Sequence, residues 1–296
     1  MQQTLGSSTS TASDALVTAL AHKAKTGATG RVMGTTLALG EGWRATDYVC
    51  TCGPGDRTFQ EEHAVSSVSL VLSGTFVCRS QHGESLLSAG SLFLGSVGQP
   101  YECSHHHGDG DRCLSFQFEP ELFEQLARDA GARRTAFDRN SLPPLRAFAP
   151  VAARALAAIR QPEALEEIAY AMAGAAVRAT AAHGSRPGGS RHHHRIAQVL
   201  RHLAVRVAEP HSIAELARLA ALSPYHFLRT FKQVTGVTPH QWLVRARLRA
   251  AAQHLVAGRA RITDIALEVG FEDLSNFVRS FRAEFGVSPR AFRSAA

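Results

Sequence analysis

Residues 213–239 read IAELARLAALSPYHFLRTFKQVTGVTP, and residues 262–289 read ITDIALEVGFEDLSNFVRSFRAEFGVSP. Both stretches follow one pattern, in which a short apolar helix, a turn and a second helix end at a glycine such as Gly236. Phe227 and Phe231 are spaced to form the buried stripe of the second helix. A solenoid needs at least about three such repeats, and the sequence holds two. The pattern therefore predicts two helix-turn-helix units, a motif whose second helix enters the DNA major groove.

The same residues carry a family resemblance. From about 195 to 294 the sequence, and especially VGFEDLSNFVRSFR at 269–282, closely resembles the AraC/XylS transcription regulators. The resemblance implies two helix-turn-helix motifs, at 212–235 and 262–285, joined by a long helix at about 239–257. Two reading helices held near one DNA turn apart, ~34 Å, would read a bipartite site of about 17–20 base pairs.

In this family the exposed side of each second helix meets the DNA bases, and the resemblance assigns nine residues to that role. They are Tyr225, His226, Leu228 and Arg229 in the first unit, and Asp273, Leu274, Ser275, Val278 and Arg279 in the second. Arg229 and Arg279 hold equivalent positions and are the best candidates for paired hydrogen bonds to guanine, with phosphate binding as the alternative. The three apolar side chains either contact thymine methyls or pack inside. Lys232, Arg245 and Arg282 are expected to bind phosphates.

The distribution of charge agrees with a DNA-binding C-terminal domain. Residues 191–296 contain 16 Lys and Arg against 7 Asp and Glu, whereas residues 1–190 contain 16 against 18. The basic excess thus lies entirely in the part that resembles the DNA-binding family, as contact with phosphates requires.

A glycine- and serine-rich stretch at Gly184–Ser190 is typical of a flexible linker and divides the chain. His192–His194 is expected to be a solvated basic lead-in to the next helix. The predicted parts are an N-terminal tail (1–30), a sensor domain (31–120), a helical segment for dimerisation or for covering the sensor (121–183), a linker (184–194) and the DNA-binding domain (195–296). No run is long enough to span a membrane, and Ala15–Ala21 lacks the positive flank of a signal peptide, so we expect a cytoplasmic protein without a membrane partner.

Residues 31–118 read as short strands and turns, which favours a barrel or sandwich. Val65–Leu72 predicts a strand, and Phe76–Cys78 predicts a second strand that pairs with it across a tight turn at Gly74. Gly74, Gly90 and their apolar neighbours resemble the cupin-type sensor domain found at the N-terminus of AraC/XylS relatives. The expected fold is α+β: a cupin-like β-barrel with trailing helices, then an all-α domain with two helix-turn-helix motifs joined by a long helix.

All five cysteines lie in the N-terminal part, and a cytosolic location makes structural disulfides improbable. The run CSHHHGDGDRC at 103–113 offers two thiolates and two imidazoles, a tetrahedral set suited to zinc or a similar transition metal. The candidate ligands are Cys103, His105, His107 and Cys113, and Cys50 and Cys52 could join or replace them. His63 lies where cupins carry a metal histidine, but the usual His-x-His is absent. Buried structural cysteines and reversible thiol oxidation are the alternatives.

Three classes of function remain open. The first is a transcription factor, not an enzyme, whose N-terminal domain senses a small molecule or a metal. The resemblance implies that such a protein binds double-stranded promoter DNA as a homodimer and, as an activator, contacts RNA polymerase. The second class is a thiol or metal stress switch that uses the Cys103–Cys113 segment. The third, a cupin metalloenzyme fused to a DNA-binding module, is the least favoured because the sequence shows no clear catalytic set.

Overall fold

The computed structural model of the protein describes residues 14–56, 58–132, 134–159, 162–182, 192–258 and 260–295. The strands are β1 (Val32–Gly40), β2 (Trp43–Cys50), β3 (Phe59–Glu62), β4 (Ser66–Ser80), β5 (Gly83–Ser88), β6 (Leu92–Gly95), β7 (Pro100–Ser104), β8 (Asp111–Phe118) and β9 (Ser141–Leu142). The helices are α1 (Asp14–Thr26), α2 (Pro120–Asp129), α3 (Ala149–Ala158), α4 (Leu165–Ala182), α5 (His193–Val205), α6 (Ile213–Leu219), α7 (Pro224–Thr235), α8 (Pro239–Ala257), α9 (Ile262–Glu268), α10 (Leu274–Phe285) and α11 (Pro289–Ala295). None of the described helices has the length and apolar character needed to cross a membrane.

The N-terminal domain is an antiparallel sheet built around the 15-residue strand β4. The first part of β4 pairs with β6 and β8 in the order β1-β2-β8-β4-β6-β9, and its second part pairs with β5 and β7. Because β4 pairs with both groups of strands, it joins them into one sheet that folds over on itself.

The tight turn predicted at Gly74 is wrong, because β4 continues through this position without reversing. Gly74 has φ +79° and pairs with Asp111 of β8, just after a register shift between Val71 and Ser73. A Cβ at Gly74 would come within 2.6 Å of the Asp111 Cα. The glycine thus permits a bulge and a close approach of β8 rather than a chain reversal.

The two faces of β8 serve two different cores, since successive side chains point to opposite sides of a strand. Leu114 and Phe116 belong to a large core in which the sheet packs against α2, α3 and α4. Cys113 points the other way, into a small core with Val71, Phe76 and Leu87. The helices after the sheet therefore cover it, which is one of the two roles predicted for residues 121–183.

The predicted N-terminal tail contains a docked helix instead. Leu16 of α1 is buried, and Lys23 donates to the Thr51 carbonyl at 2.8 Å and lies 2.6 Å from a carboxylate oxygen of Asp56. The hydrogen bond from Lys23 lowers the pKa of Asp56 to about 2. A single buried leucine and one ion pair hold α1 on the sheet, too weak a pattern to be recognised in the sequence.

The C-terminal domain consists of two small cores joined by the long helix α8. The first core contains Phe227 and Phe231 of α7 with Trp242 near the start of α8. The second contains Phe277 and Phe281 of α10 with residues near the end of α8. The predicted repeat and connecting helix are thus present as two helix-turn-helix units on one shared helix.

The predicted linker falls largely outside the described residues, which exclude 183–191. His193, expected to be solvated, instead begins α5 and is 2% exposed. Its Nδ1 lies 2.8 Å from the Glu84 carboxylate of β5, so this histidine attaches α5 to the N-terminal domain.

Candidate nucleic-acid interface and candidate metal cluster

The two reading helices, α7 and α10, begin and end with matching caps. The Ser223 hydroxyl accepts a hydrogen bond from the His226 amide at 3.4 Å, and the Asp273 carboxylate accepts from the amides of Ser275 and Asn276 at 3.0 and 2.9 Å. Both helices end at a glycine in the left-handed region, with φ +77° and +80° respectively. These caps fix where each helix starts, and so which side chains of its first turns face outward.

Most of the residues predicted to contact bases are exposed. Tyr225, His226, Leu228 and Arg229 on α7, and Asp273, Leu274, Ser275 and Arg279 on α10, are open to solvent. Tyr225 is the most exposed large hydrophobic side chain among these positions, at 79%. Val278 is half-buried and packs against the second core, which was the alternative considered for the apolar members.

Three of the predicted DNA-contacting residues already form side-chain hydrogen bonds or ion pairs within the protein. The Asp273 carboxylate is used as a helix cap. An Arg279 Nη donates to the Asn276 side chain at 3.1 Å, an exposed bond that DNA can replace. Arg245 donates to the Pro144 carbonyl and lies 3.5 Å from Glu284, whereas the predicted phosphate contacts Lys232 and Arg282 are exposed. In this structure Arg245 joins the two domains.

Arg247 on α8, which the sequence did not single out, holds the two helix-turn-helix units together. Its guanidinium donates to the carbonyls of Val207 at 2.8 Å and Glu209 at 2.9 Å, just after α5. It also donates to the Gly270 carbonyl in the turn of the second unit, at 2.7 Å. Burial lowers the pKa of this arginine. No local pattern distinguishes it from the other arginines of α8, so only the tertiary structure reveals its role.

Helix α5 carries many of the contacts between the N-terminal sheet and the C-terminal domain. Arg201 donates to the Asp109 carboxylate in the β7–β8 loop, and the His194 ring lies 5.5 Å from the His106 ring in the same loop. Val77 and Leu86 of the sheet join the first helical core. One part of the interface between the two domains is therefore a mixed apolar and charged contact along α5.

A cleft of about 310 Å³ lies beside this interface. Leu72, Leu200 and Trp242 contribute apolar walls, and Arg201 and Arg249 contribute guanidinium groups. Burial lowers the pKa of Arg249 to about 10. The volume of this cleft is at the lower end of the range of small-molecule sites, and both apolar and charged side chains line it.

The sulfur and imidazole groups of the N-terminal domain assemble differently from the predicted set of four. His105 Nε2 lies 3.5 Å from the Cys50 Sγ and 2.6 Å from a carboxylate oxygen of Asp111. These three ligand atoms lie within 4.8 Å of one another. Cys50, predicted from the sequence to join or replace the four candidate ligands, is thus a central member of the cluster.

Of the remaining predicted ligands, Cys113 borders this cluster, and His107 and Cys103 have other partners. His107 is bonded to the Thr75 hydroxyl, because the chain leaves the extended conformation after Ser104 and the odd-numbered side chains no longer share a face. Cys103 pairs across the sheet with Cys78. Cys113 donates to the other Asp111 oxygen at 3.8 Å. His63 stacks on Tyr101, with ring centroids 4.2 Å apart, rather than approaching the cysteines.

The surroundings raise the pKa of three buried thiols in this region. Burial, followed by the negative charge of Asp111, raises the pKa of both Cys50 and Cys113. A hydrogen bond with Cys78 and burial raise the pKa of Cys103. Reactive redox cysteines have lowered pKa values, so this environment does not favour the thiol-oxidation alternative.

Comparison with known proteins finds a family model for the C-terminal part of the chain and another for the N-terminal part. Residues 216–295 match the family model described as a helix-turn-helix domain, and residues 35–172 match that of the regulatory protein PchR N-terminal domain. The chain therefore carries an AraC-type helix-turn-helix domain behind a PchR-type regulatory domain. These two domains account for the basic C-terminal half and for the covered sheet, respectively.

Relatives of the AraC-type domain include the probable transcriptional regulator LumQ of Photobacterium leiognathi, 35% identical over 82 residues, or 28% of this chain and 33% of LumQ. The transcriptional activator RhaS of Escherichia coli is 48% identical over 65 residues, 22% of this chain and 23% of RhaS. This chain thus matches a third or less of the length of these two relatives. A solved AraC-type regulator structure from Chromobacterium violaceum is 27% identical and covers 34% of this chain and 89% of its own, with a TM-score of 0.33.

Proposed function

We propose that this protein is a transcription regulator that binds a bipartite promoter site through α7 and α10. The observation that carries the proposal is the matched exposure of the two helices, with Arg229 and Arg279 at equivalent positions on their outer faces. A guanidinium at this position can donate two hydrogen bonds to one guanine. The basic excess of residues 191–296 supports the same surface by attracting phosphates.

The regulatory domain acts on the reading helices through α5, whose two long sides contact different domains. Binding of a small molecule or a metal in the N-terminal half alters how α5 is held and thereby changes promoter binding or activation. The cleft beside Arg201 and Arg249 is one place where a small molecule would reach both domains at once. The proposal includes a homodimer, since one half-site supplies limited specificity. It also includes contact with RNA polymerase at the promoter.

The test begins with selection of bound sequences from random double-stranded DNA by the full-length protein. We expect two short conserved blocks with centres about one helical turn apart. Arg229→Ala or Arg279→Ala should each cost ~1–3 kcal/mol of binding and relax the base preference in one block only.

Lys232→Ala is the matched control, because its side chain is exposed on the same helix as Arg229. If Lys232 binds a phosphate, its loss should weaken binding to all sequences equally. The slope of log affinity against log salt concentration should then fall by about one. If the double variant Arg229→Ala with Arg279→Ala still selects the parent sequence with parent affinity, this assignment of the reading surface is refuted.

A further inference from the structure

Three buried side chains of different chemistry meet where β2 ends and β8 begins. Cys50 and Asp111 are 5% and 6% exposed, and the His105 side chain is 5% exposed. A thiol, an imidazole and a carboxylate are the ligand types that zinc and similar borderline ions accept together. We propose that Cys50, His105 and Asp111 bind one zinc-like divalent cation and that its binding changes how the regulatory domain holds α5.

The positions of the three residues suit a site with two fixed ligands and one adjustable ligand. Cys50 and Asp111 are direct partners in the β2–β8 ladder, so the sheet sets the distance between them. His105 follows β7 and lies in the loop of residues 105–110, where no ladder restrains it. We therefore expect Cys50 and Asp111 to be in place before the ion binds, and His105 to adjust its position on binding.

The observed distances show which part has to move. Around a tetrahedral zinc ion the expected separation is roughly 3.6 Å for sulfur to nitrogen and roughly 3.4 Å for nitrogen to oxygen. The Cys50–His105 distance of 3.5 Å already fits. The His105–Asp111 distance of 2.6 Å is that of a hydrogen bond. Inserting the ion requires this pair to open by about 0.8 Å. We expect His105 and its loop to move, because Asp111 is held in the ladder with Cys50.

The same loop holds the DNA-binding domain. Asp109 accepts a hydrogen bond from Arg201 of α5, and the His106 ring contacts the ring of His194, also on α5. Only three residues separate His105 from Asp109. A shift at the cation site thus reaches α5 directly. This regulatory part rests on the proposed function, whereas the binding of the ion does not.

A second group of metal-binding type within the described residues provides an internal comparison. His202, His211 and Glu215 lie together in the AraC-type domain, half-exposed and without a thiol. Cobalt bound by a thiolate gives a sulfur-to-metal charge-transfer band that cobalt bound only by histidine and carboxylate does not give. Cobalt spectroscopy therefore separates the buried site from the exposed group.

The experiment titrates the full-length, metal-free, reduced protein with Co²⁺ and then with competing Zn²⁺. We expect one thiolate-bound cobalt per chain. Cys50→Ser should abolish the charge-transfer band, and His105→Gln should weaken binding at least about tenfold, since even outer ligands contribute that much. Cys113→Ser, at a neighbouring buried thiol, and His211→Gln should keep the band. Absence of the band in the parent, or its persistence in Cys50→Ser, overturns the site.

The regulatory part is tested by measuring operator affinity with and without Zn²⁺. We expect a change of at least about fivefold, the lower range of allosteric coupling, in the parent and none in Cys50→Ser. If zinc binds and both proteins respond equally, the coupling through the loop is refuted. If the parent protein selects no DNA sequence at all, the proposed function fails while the cobalt result still decides the metal site.

Discussion

Replacing Arg247 with alanine should separate the two helix-turn-helix units without touching the DNA-reading surface. The guanidinium makes two partly buried hydrogen bonds, to the carbonyls of Val207 and Gly270, and further bonds to exposed carbonyls after α5. A charge-assisted bond contributes about 1.5 kcal/mol at the low end of the measured range, so the two partly buried bonds give about 3 kcal/mol. The exposed bonds add little, because water replaces the donor. We expect Arg247→Ala to lower the free energy of unfolding of this domain by about 3 kcal/mol.

The two tryptophans of the chain allow this loss to be measured within the correct domain. Trp43 is buried in the regulatory domain and Trp242 in the AraC-type domain. In a Trp43→Phe background, urea unfolding followed by fluorescence reports Trp242 alone. Arg247→Lys should lose less stability than Arg247→Ala, because one ammonium keeps the charge but cannot serve all the carbonyls.

DNA binding gives a second, independent readout of the same substitution. We expect Arg247→Ala to lose affinity for the bipartite site while affinity for a single block changes little, because only the relative placement of the units is altered. The exposed Arg282 offers the opposite control: Arg282→Ala should leave stability within about 0.5 kcal/mol and weaken all DNA binding. An unfolding free energy for Arg247→Ala within about 0.5 kcal/mol of the parent would show that α8 alone holds the units together.

Two further predictions concern backbone geometry and pH. Gly270→Ala should lower the thermal midpoint more than Gly286→Ala: both glycines have positive φ, but only at Gly270 would a Cβ collide with Ala208, whose Cα it would approach to 2.8 Å. Equal midpoints for the two variants would contradict this reading of the Gly270 turn. Burial lowers the pKa of His63 to about 4, against about 6.5 in the unfolded chain. Its neutral ring therefore contributes stability that is complete above pH 6.5 and is lost as the pH falls toward 4, so His63→Gln should flatten the pH dependence of the thermal midpoint between these limits. A parent and variant with the same pH dependence would show that His63 is not the titrating group.

The helix-turn-helix half could be predicted closely because its determinants are local. Caps such as Ser223 and Asp273, glycine stops such as Gly236, and phenylalanines at helical spacing each fix a boundary or a buried face within a few residues. The repeat supplied the glycine stops and the phenylalanine spacing twice. The exposure of Arg229 and Arg279 followed directly from the burial of the phenylalanines on the opposite face.

The regulatory half was harder to predict because its decisive contacts join distant segments. Cys50 and His105 are 55 residues apart, and His193 meets Glu84 across 109 residues. Alternation along an extended strand would place Cys103, His105 and His107 on one face, but β7 ends at Ser104 and the alternation ends with it. Gly74 was misread because a glycine at a bulge and a glycine at a turn have the same local sequence signal.

The way the regulatory domain is attached indicates what kind of signal it can deliver. It contacts the first helix-turn-helix unit through Val77 and Leu86, and the second through Ala153 of α3, which packs in the core with α8 and α10. A displacement confined to the β7–β8 loop acts on α5 and hence on the first unit, while the contact at Ala153 holds the second in place. Because Arg247 spans the two units, the resulting change is one of relative orientation rather than of release. A bipartite operator is sensitive to such a change, since both blocks must align with one helical turn of DNA.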